Sequence, residues 1–542
     1  MTVINKVTRE PIERALVSSS DGRVGGMTDT DGHFELKALN DKNSAVSAGR
    51  IPDVSPSSGR VTWFESFGTP IALAARKPGF LQDPNGADHA TQGNEITIAL
   101  LPEAIIRGRV LITNVEPAVG MNVQLFMRQV QDGMPRWRPT LMTWTNSLGE
   151  FRFAELLPGA YKVMTQELLD TDPETVAPRS KPYGFPPKCF PGVPDFAGGA
   201  TIQLAAGQKF QADIPLAREP YFPVNILVVN AEKIQGMNVR VLADAHPGPG
   251  YSLGYNPGTH RIEGLLPSGH YLVEGHTYGP VEASGVVSIV VANAAAEQAS
   301  MVLALGAQVP VNVREDFASN DWNGGASMSV DGRNYVLKGP RVYLNVSLEP
   351  VEEFAEQGFH GPRPPTAPND ESIVLDNVPP GRYWVRADTG RGYVQSLSSG
   401  GVDLLREPLV VTSGSSTPIE VVLRDDTAGI EGTVTGASAA QSSAGLSDAG
   451  HAFRQNPSAY LYCIPLPDSA GQFRELPVSP DGTFDWTGVP PGSYRLLAFA
   501  HPQPNLPYRD QQAMRAYETQ GQVVRLVPGQ KEHLQLQMIS GD

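Results

Sequence analysis

One short pattern recurs along the chain and restricts its fold more than any other feature: a tight turn, a strand of alternating apolar residues, a proline–glycine turn, and a strand that opens with tyrosine. Asn146-Ser-Leu-Gly149-Glu-Phe151-Arg-Phe153 leads to Pro158-Gly159-Ala-Tyr161-Lys-Val163, and Gly258-Thr-His-Arg-Ile262 leads to Pro267-Ser-Gly269-His-Tyr271-Leu-Val273. Glu371-Ser-Ile373-Val-Leu375 leads to Pro379-Pro-Gly381-Arg-Tyr383-Trp-Val385, and Pro480-Asp481-Gly482-Thr-Phe484-Asp-Trp486 leads to Pro490-Pro-Gly492-Ser-Tyr494-Arg-Leu496. A fifth copy near the start, Thr28-Asp29-Thr-Asp31-Gly32-His-Phe34-Glu-Leu36, lacks the second half and runs into a Ser/Asp/Pro-rich insertion over residues 41–60. Glycine supplies the turn conformation, proline presets the next turn, and residues two apart, such as Tyr494 and Leu496, face the same side of a strand. The pattern therefore predicts a β-hairpin in each copy.

Apolar closing strands follow at residues 95–100, 210–216, 299–305, 418–423 and 533–538, and new opening strands at 105–110, 222–227, 309–313 and 430–434. The spacing predicts an all-β chain: a tandem, elongated array of five β-sandwich domains of roughly 90 to 120 residues each. Their expected spans are 1–101 (divergent, with the insertion 41–60), 102–218, 219–305, 306–426 and 427–542. Two long loops stand out, the Pro-rich 172–195 and 352–370, and one short helix is expected near 509–517. The 55 glycines and 48 prolines of the 542 residues are largely accounted for by the two turns of the repeat.

The balance of 42 basic and 57 acidic side chains, a net charge of −15, argues against nucleic acid as a partner. Its longest nearly apolar stretch, residues 285–296, falls short of a membrane span, so no integral membrane segment is expected. The first residues, with charges and Pro11, do not read as a signal peptide. The 2 cysteines, Cys189 and Cys463, cannot form a disulfide framework or a four-ligand zinc site and read as unpaired thiols in separate domains; no cofactor is expected.

The segment Thr28–Leu36, the Pro-x-Gly-x-Tyr copies and openings such as Ile430-Glu-Gly432-Thr-Val434 resemble the carboxypeptidase regulatory-like domain, a transthyretin-like sandwich related to carbohydrate-binding-like folds. The stretch from Cys189 to Leu204 and the segment from Tyr508 to Glu518 resemble parts of large exported bacterial proteins built from such repeats. The resemblance implies that the five sandwiches are prealbumin-like or Ig-like, and that each is a non-catalytic module, appended to peptidases or outer-membrane receptors or strung alone in surface proteins. It names no ligand.

Sharper chemical readings compete with structural ones. His260-Arg-Ile-Glu263, with His270 and His276 nearby, has a zinc-like spacing, but in an extended strand residues 260 and 263 point to opposite faces. Gly250-Tyr-Ser252-Leu-Gly254 matches a nucleophile elbow, yet Pro247, Pro249 and Pro257 crowd both sides. Asp29-Thr-Asp31-Gly32 offers paired carboxylates for calcium, or simply a turn. Trp137 and Trp144, flanking Pro139 in a loop-to-strand passage, and Trp322 in a polar turn are the carbohydrate-stacking candidates, with packing as the competing role.

The expected function is a non-enzymatic, exported or cell-surface scaffold or adhesion protein, a filament or envelope component in one version. A carbohydrate-binding protein and a non-catalytic accessory of a peptidase or outer-membrane receptor are the alternatives. Expected partners are a glycan, other surface proteins or further copies of the chain. The expected location is extracellular, cell-surface or periplasmic, with the cytoplasm as the alternative.

Overall fold

The computed structural model describes the chain apart from residues 1, 20–24, 36–60, 65–69, 84–90, 93–94, 114, 171–181, 232–233, 244–247, 279–281, 297–298, 319–325, 331–332, 355–359, 368–369, 413, 415, 437–457, 467–468, 470–471 and 540–542. The insertion 41–60, Trp322 and part of the loop 172–195 thus lie outside the described residues. Strands dominate, and the one α-helix among the described residues is the single turn Gln511–Met514, capped by the Asp510 carboxylate and continued by a 3-10 turn, Arg515–Tyr517. That element is shorter than the helix expected over 509–517.

The chain divides into two compact units: residues 1–128, 137–175 and 183–219, and residues 129–136, 176–182 and 220–542. The first unit contains two apolar cores, one built on Val3, Val17, Leu73 and Ile98 (module 1), the other on Ile106, Leu125, Phe153 and Tyr161 (module 2). Four further cores occupy the second unit among the described residues: one around Ile226, Ile262 and Tyr271 (module 3), one around Val309, Leu375 and Tyr383 (module 4), one around Ile430, Phe484 and Tyr494 (module 5), and a smaller one around Tyr462, Leu497 and Phe499, on strands of the same module 5. Each fully buried Val, Leu or Ile contributes about 1.5–3 kcal/mol, so each core is an independent source of stability. The fold is a tandem array of β-sandwiches.

The modules share one wiring. In each, the opening strand pairs in parallel with the closing strand: Thr2–Asn5 with Glu95–Pro102, Ala104–Ile112 with Lys209–Gln211 and Ile214–Leu216, and Glu219–Val229 with Ser300–Val302. Ala307–Asp316 pairs with Ile419–Arg424, and Ala428–Thr435 with Lys531–Ile539. This close parallel approach explains the glycine of the opening motif. A Cβ on Gly108 would lie 2.0 Å from the carbonyl oxygen of Ala212, and one on Gly432 only 1.7 Å from that of Leu534.

The repeat is not a hairpin. In module 2 the turn strand Glu150–Leu156 pairs with the opening strand, whereas the tyrosine strand Gly159–Thr165 pairs with Asn122–Gln131 in the opposite sheet. The same division holds for Arg261–Pro267 and Gly269–Thr277 and for Ile373–Val378 and Gly381–Thr389; in module 5, Thr483–Val489 pairs with the opening strand and Gly492–Phe499 with Ala459–Pro465, and the two halves join where Ala498 and Phe499 meet the end of the closing strand. The proline–glycine step is thus a corner that carries the chain from one sheet of the sandwich to the other.

Tyrosine fixes that corner. The hydroxyls of Tyr161, Tyr271, Tyr383 and Tyr494 each donate to the main-chain carbonyl four residues earlier, those of Leu157, Pro267, Pro379 and Pro490, at 2.8, 2.9, 2.8 and 2.6 Å. All four rings are buried, and burial pushes the Tyr161 phenol up to about 12. The hydroxyl thereby gives the carbonyl at the change of direction a hydrogen-bond partner.

Candidate functional site

The residues singled out for chemistry fall mostly on turns. Gly32, Gly149 and Gly482 have φ of +71°, +71° and +81°, and their carbonyls accept the amides of Val3, Val110 and Val434 in the opening strands at 2.8–2.9 Å. In module 3 the same position is His260, φ +54°, whose carbonyl accepts from Val228 at 2.9 Å. His260 therefore precedes the strand Arg261–Pro267, contrary to the extended-strand expectation, and its Nδ1 lies 3.3 Å from the Tyr255 hydroxyl. Glu263 accepts from Asn256 and Thr259. His270 and His276 belong to the other sheet of that module. Among the described residues no group of three or more His, Cys, Asp or Glu is placed to hold a metal ion. A left-handed conformation costs a residue with a Cβ about 1–2 kcal/mol, so His260→Gly should stabilise module 3 by roughly 0.5–1 kcal/mol in a thermal melt.

The Asp29 carboxylate is used by its own turn: Oδ1 accepts the amides of Asp31 and His33 at 3.0 and 2.8 Å, as Asn146 Oδ1 accepts those of Leu148 and Glu150. Ser252 is exposed and is followed by the strand Gly254–Asn256, so the helix that a nucleophile elbow requires is replaced by strand.

Trp137 and Trp144 share one strand, Met134–Trp144, at the edge of a four-stranded sheet, rather than the loop-to-strand passage expected around Pro139. They lie seven residues apart, about 23 Å along the strand and on opposite faces, and so form no common stacking platform. Trp137 is half-buried. Its ring meets Phe196 edge-on at 6.1 Å, and the Lys162 ammonium sits 5.2 Å from its centroid. Lys162, only 4% exposed, donates from Nζ to the carbonyls of Phe196 and Ala197 at 2.5 and 3.1 Å. Neighbours Tyr161 and Val163 face the core, so alternation turns Lys162 outward, where the segment 188–200 covers it. That segment is knit down through Phe190 N–Val163 O at 2.9 Å, Thr165 N–Lys188 O at 2.9 Å and Phe196 packed on Phe126 at 4.9 Å. The described part of the Pro-rich loop is therefore a packed cover. Trp144 differs: it is 61% exposed, and Leu141, Met142, Leu148, Val115 and Val119 are exposed with it on the edge strand and adjoining turns.

The described end of the second long loop is also tied down. Arg341 donates to the carbonyls of Asp370, Ser372 and Arg363. The Asp370 carboxylate receives the hydroxyls of Ser372 and Thr366, the amide of Thr366 and the guanidinium of Arg363, with distances of 2.5–2.9 Å. These donors, Ser372 foremost, hold its carboxyl far below the usual range.

Cys189 and Cys463 are buried free thiols in different modules. Burial pushes Cys189 up to about 11 and Cys463 to about 12. Both should stay inert to a thiol reagent at pH 8 until the chain unfolds. The folded thiol keeps a proton that the unfolded thiol loses above about pH 8.5, so this contribution is complete below that pH and is lost as pH rises towards 11. A stability–pH series of Cys189→Ala against the parent should show the parent falling more steeply across that window.

No protein-family model matches the sequence, and no curated relative does. Similar solved structures include the Bacillus anthracis TIE protein, 9% identical over 76% of this chain and 66% of that chain, with a TM-score of 0.16. The Streptococcal ancillary pilin is 12% identical over 44% of this chain and 79% of that one, with a TM-score of 0.16. BcpA, the major pilin subunit of Bacillus cereus, is 10% identical over 60% of this chain and 99% of that one, with a TM-score of 0.13. Likeness at this level assigns no function. No helix among the described residues is long and apolar enough to cross a membrane.

Proposed function

We propose that this chain is a non-enzymatic structural protein: five successive sandwich modules, spanning about 1–101, 102–218, 219–305, 306–426 and 427–542, that act as a surface scaffold or adhesion array. The observation that carries the reading is that one device, a tyrosine corner beside a parallel opening–closing strand pair, recurs, while the polar residues with catalytic spacing are absorbed into its turns. The kinship to the carboxypeptidase regulatory-like domain and the exported location belong to this proposal and follow from the sequence resemblance. Fractionation of the native host tests the location: recovery with the envelope or medium supports it, and recovery with the cytosol contradicts it. A hydrolase activity lost in Ser252→Ala or His260→Gly would overturn the non-enzymatic reading.

Glycan binding is the second reading, and the exposure of Trp144 favours it over any use of Trp137; Trp322 remains a candidate on sequence grounds. Calorimetric titration of the full chain with oligosaccharides should then show binding that Trp144→Ala abolishes without changing the melting temperature. Silence across a glycan array would leave the scaffold role alone.

A further inference from the structure

The second unit includes eight residues, Gln129–Arg136, that the repeat pattern does not account for. They form the tip between the strands Asn122–Gln131 and Met134–Trp144. Asp132 and Gly133 have φ of +46° and +74°, the two consecutive positive values of a type I′ turn, for which Asp-Gly is a preferred pair.

The tip is held on two sides within the unit. On the module 4 side, the Arg386 guanidinium pairs with the Asp132 carboxylate and, at 2.7 Å, with Glu349. Arg136 approaches Glu349 at 3.6 Å and donates to the carbonyl of Pro350 at 2.8 Å. On the module 5 side, Tyr508 donates its hydroxyl to Asp132, Arg509 pairs with the same carboxylate at 3.0 Å, and the Arg509 amide donates to the Gly133 carbonyl at 3.0 Å. Tyr508 is in turn stacked on Phe473, with centroids 3.9 Å apart and planes within 6°. A Cβ on Gly133 would come within 2.7–2.8 Å of the Tyr508 ring, so glycine is required there by both the turn and the neighbour. One carboxylate thus forms ion pairs with two guanidiniums and accepts a charge-assisted hydrogen bond from a phenol, the partners coming from two different modules.

We propose that Gln129–Arg136 is a clip that fixes module 4 against module 5 in one arrangement, with Asp132 as its shared anchor. The clip rests on these contacts alone and stands whether the chain is a scaffold or a glycan binder. Asn tolerates the left-handed conformation, so Asp132→Asn removes the charge while keeping the turn.

The test uses the full chain. In Asp132→Asn, hydrogen exchange of the peptide carrying Arg509 should accelerate at least tenfold, with module 1 unchanged. Gly133→Ala, which leaves every charge in place, should do the same. Asp403→Asn, at the exposed Asp403–Arg406 pair of module 4, should not. In a double-mutant cycle, Asp132→Asn and Arg386→Gln should be non-additive, because each removes the same contact. Parent-like exchange at Arg509 in both Asp132→Asn and Gly133→Ala, or strict additivity in the cycle, would overturn the clip.

Discussion

Gly432→Ala is expected to unfold module 5, with a loss of at least about 3 kcal/mol and a separate low-temperature transition in calorimetry. The added methyl would sit 1.7 Å from the Leu534 carbonyl oxygen, and the atom in the way is main chain, which cannot rotate aside. Relief requires the opening strand Ala428–Thr435 and the closing strand Lys531–Ile539 to part along a seven-residue parallel register. Gly108→Ala should act in the same way on module 2, against Ala212 at 2.0 Å. Gly254→Ala is the matched control. Its Cβ would meet only the Glu263 carbonyl oxygen, at 3.9 Å, and the melting temperature should barely move.

The second large effect is at the tyrosine corner. Tyr494→Ala should cost about 3–5 kcal/mol, the range for emptying a buried aromatic site, because the ring is fully enclosed by the module 5 core. Tyr494→Phe should cost only about 1–2 kcal/mol, since it leaves the packing and removes the 2.6 Å bond to Pro490 and the 3.2 Å bond accepted from the Gln472 amide. The gap between the two separates the ring from its hydroxyl. If the corner is a shared device, Tyr161→Phe and Tyr383→Phe should show the same small penalty in their own modules.

Much of the fold is legible in the order of the residues. The alternation in Phe151-Arg-Phe153, the glycines after each turn and the length between closing strands are local signals, and they lead to strands, turns and a repeated unit. The pairing of those strands is less legible. A turn, a strand, Pro-Gly and another strand describe a hairpin and a change of sheet equally well, and what separates them is a hydroxyl reaching the carbonyl four residues back together with partners such as Asn122–Gln131. Pro139 suggested a loop because proline cannot join an inner ladder, yet Met134–Trp144 is an edge strand, where proline is tolerated.

The candidate residues divide along the same line. The turn role of Asp29 was readable from its comparison with Asn146 and Pro480-Asp481-Gly482, because Asx turns are local. That His260 stands where other modules place glycine became visible only through its φ and the amide of Val228. Burial of Lys162 under the 188–200 cover depends on a segment more than twenty residues away. The Asp132-Gly133 tip did carry a local signal, an Asp-Gly pair between two strands, but its partners Arg386 and Tyr508 lie hundreds of residues further on.

The central claim, that this chain is built of five sandwiches each with its own core, is tested most directly by pulling the full-length protein from its two ends in single-molecule force spectroscopy. Five unfolding events are expected, with increments of comparable length matching modules of roughly 90 to 120 residues, and Gly432→Ala should remove one of them. Two events of unequal length, one for each compact unit, would contradict it.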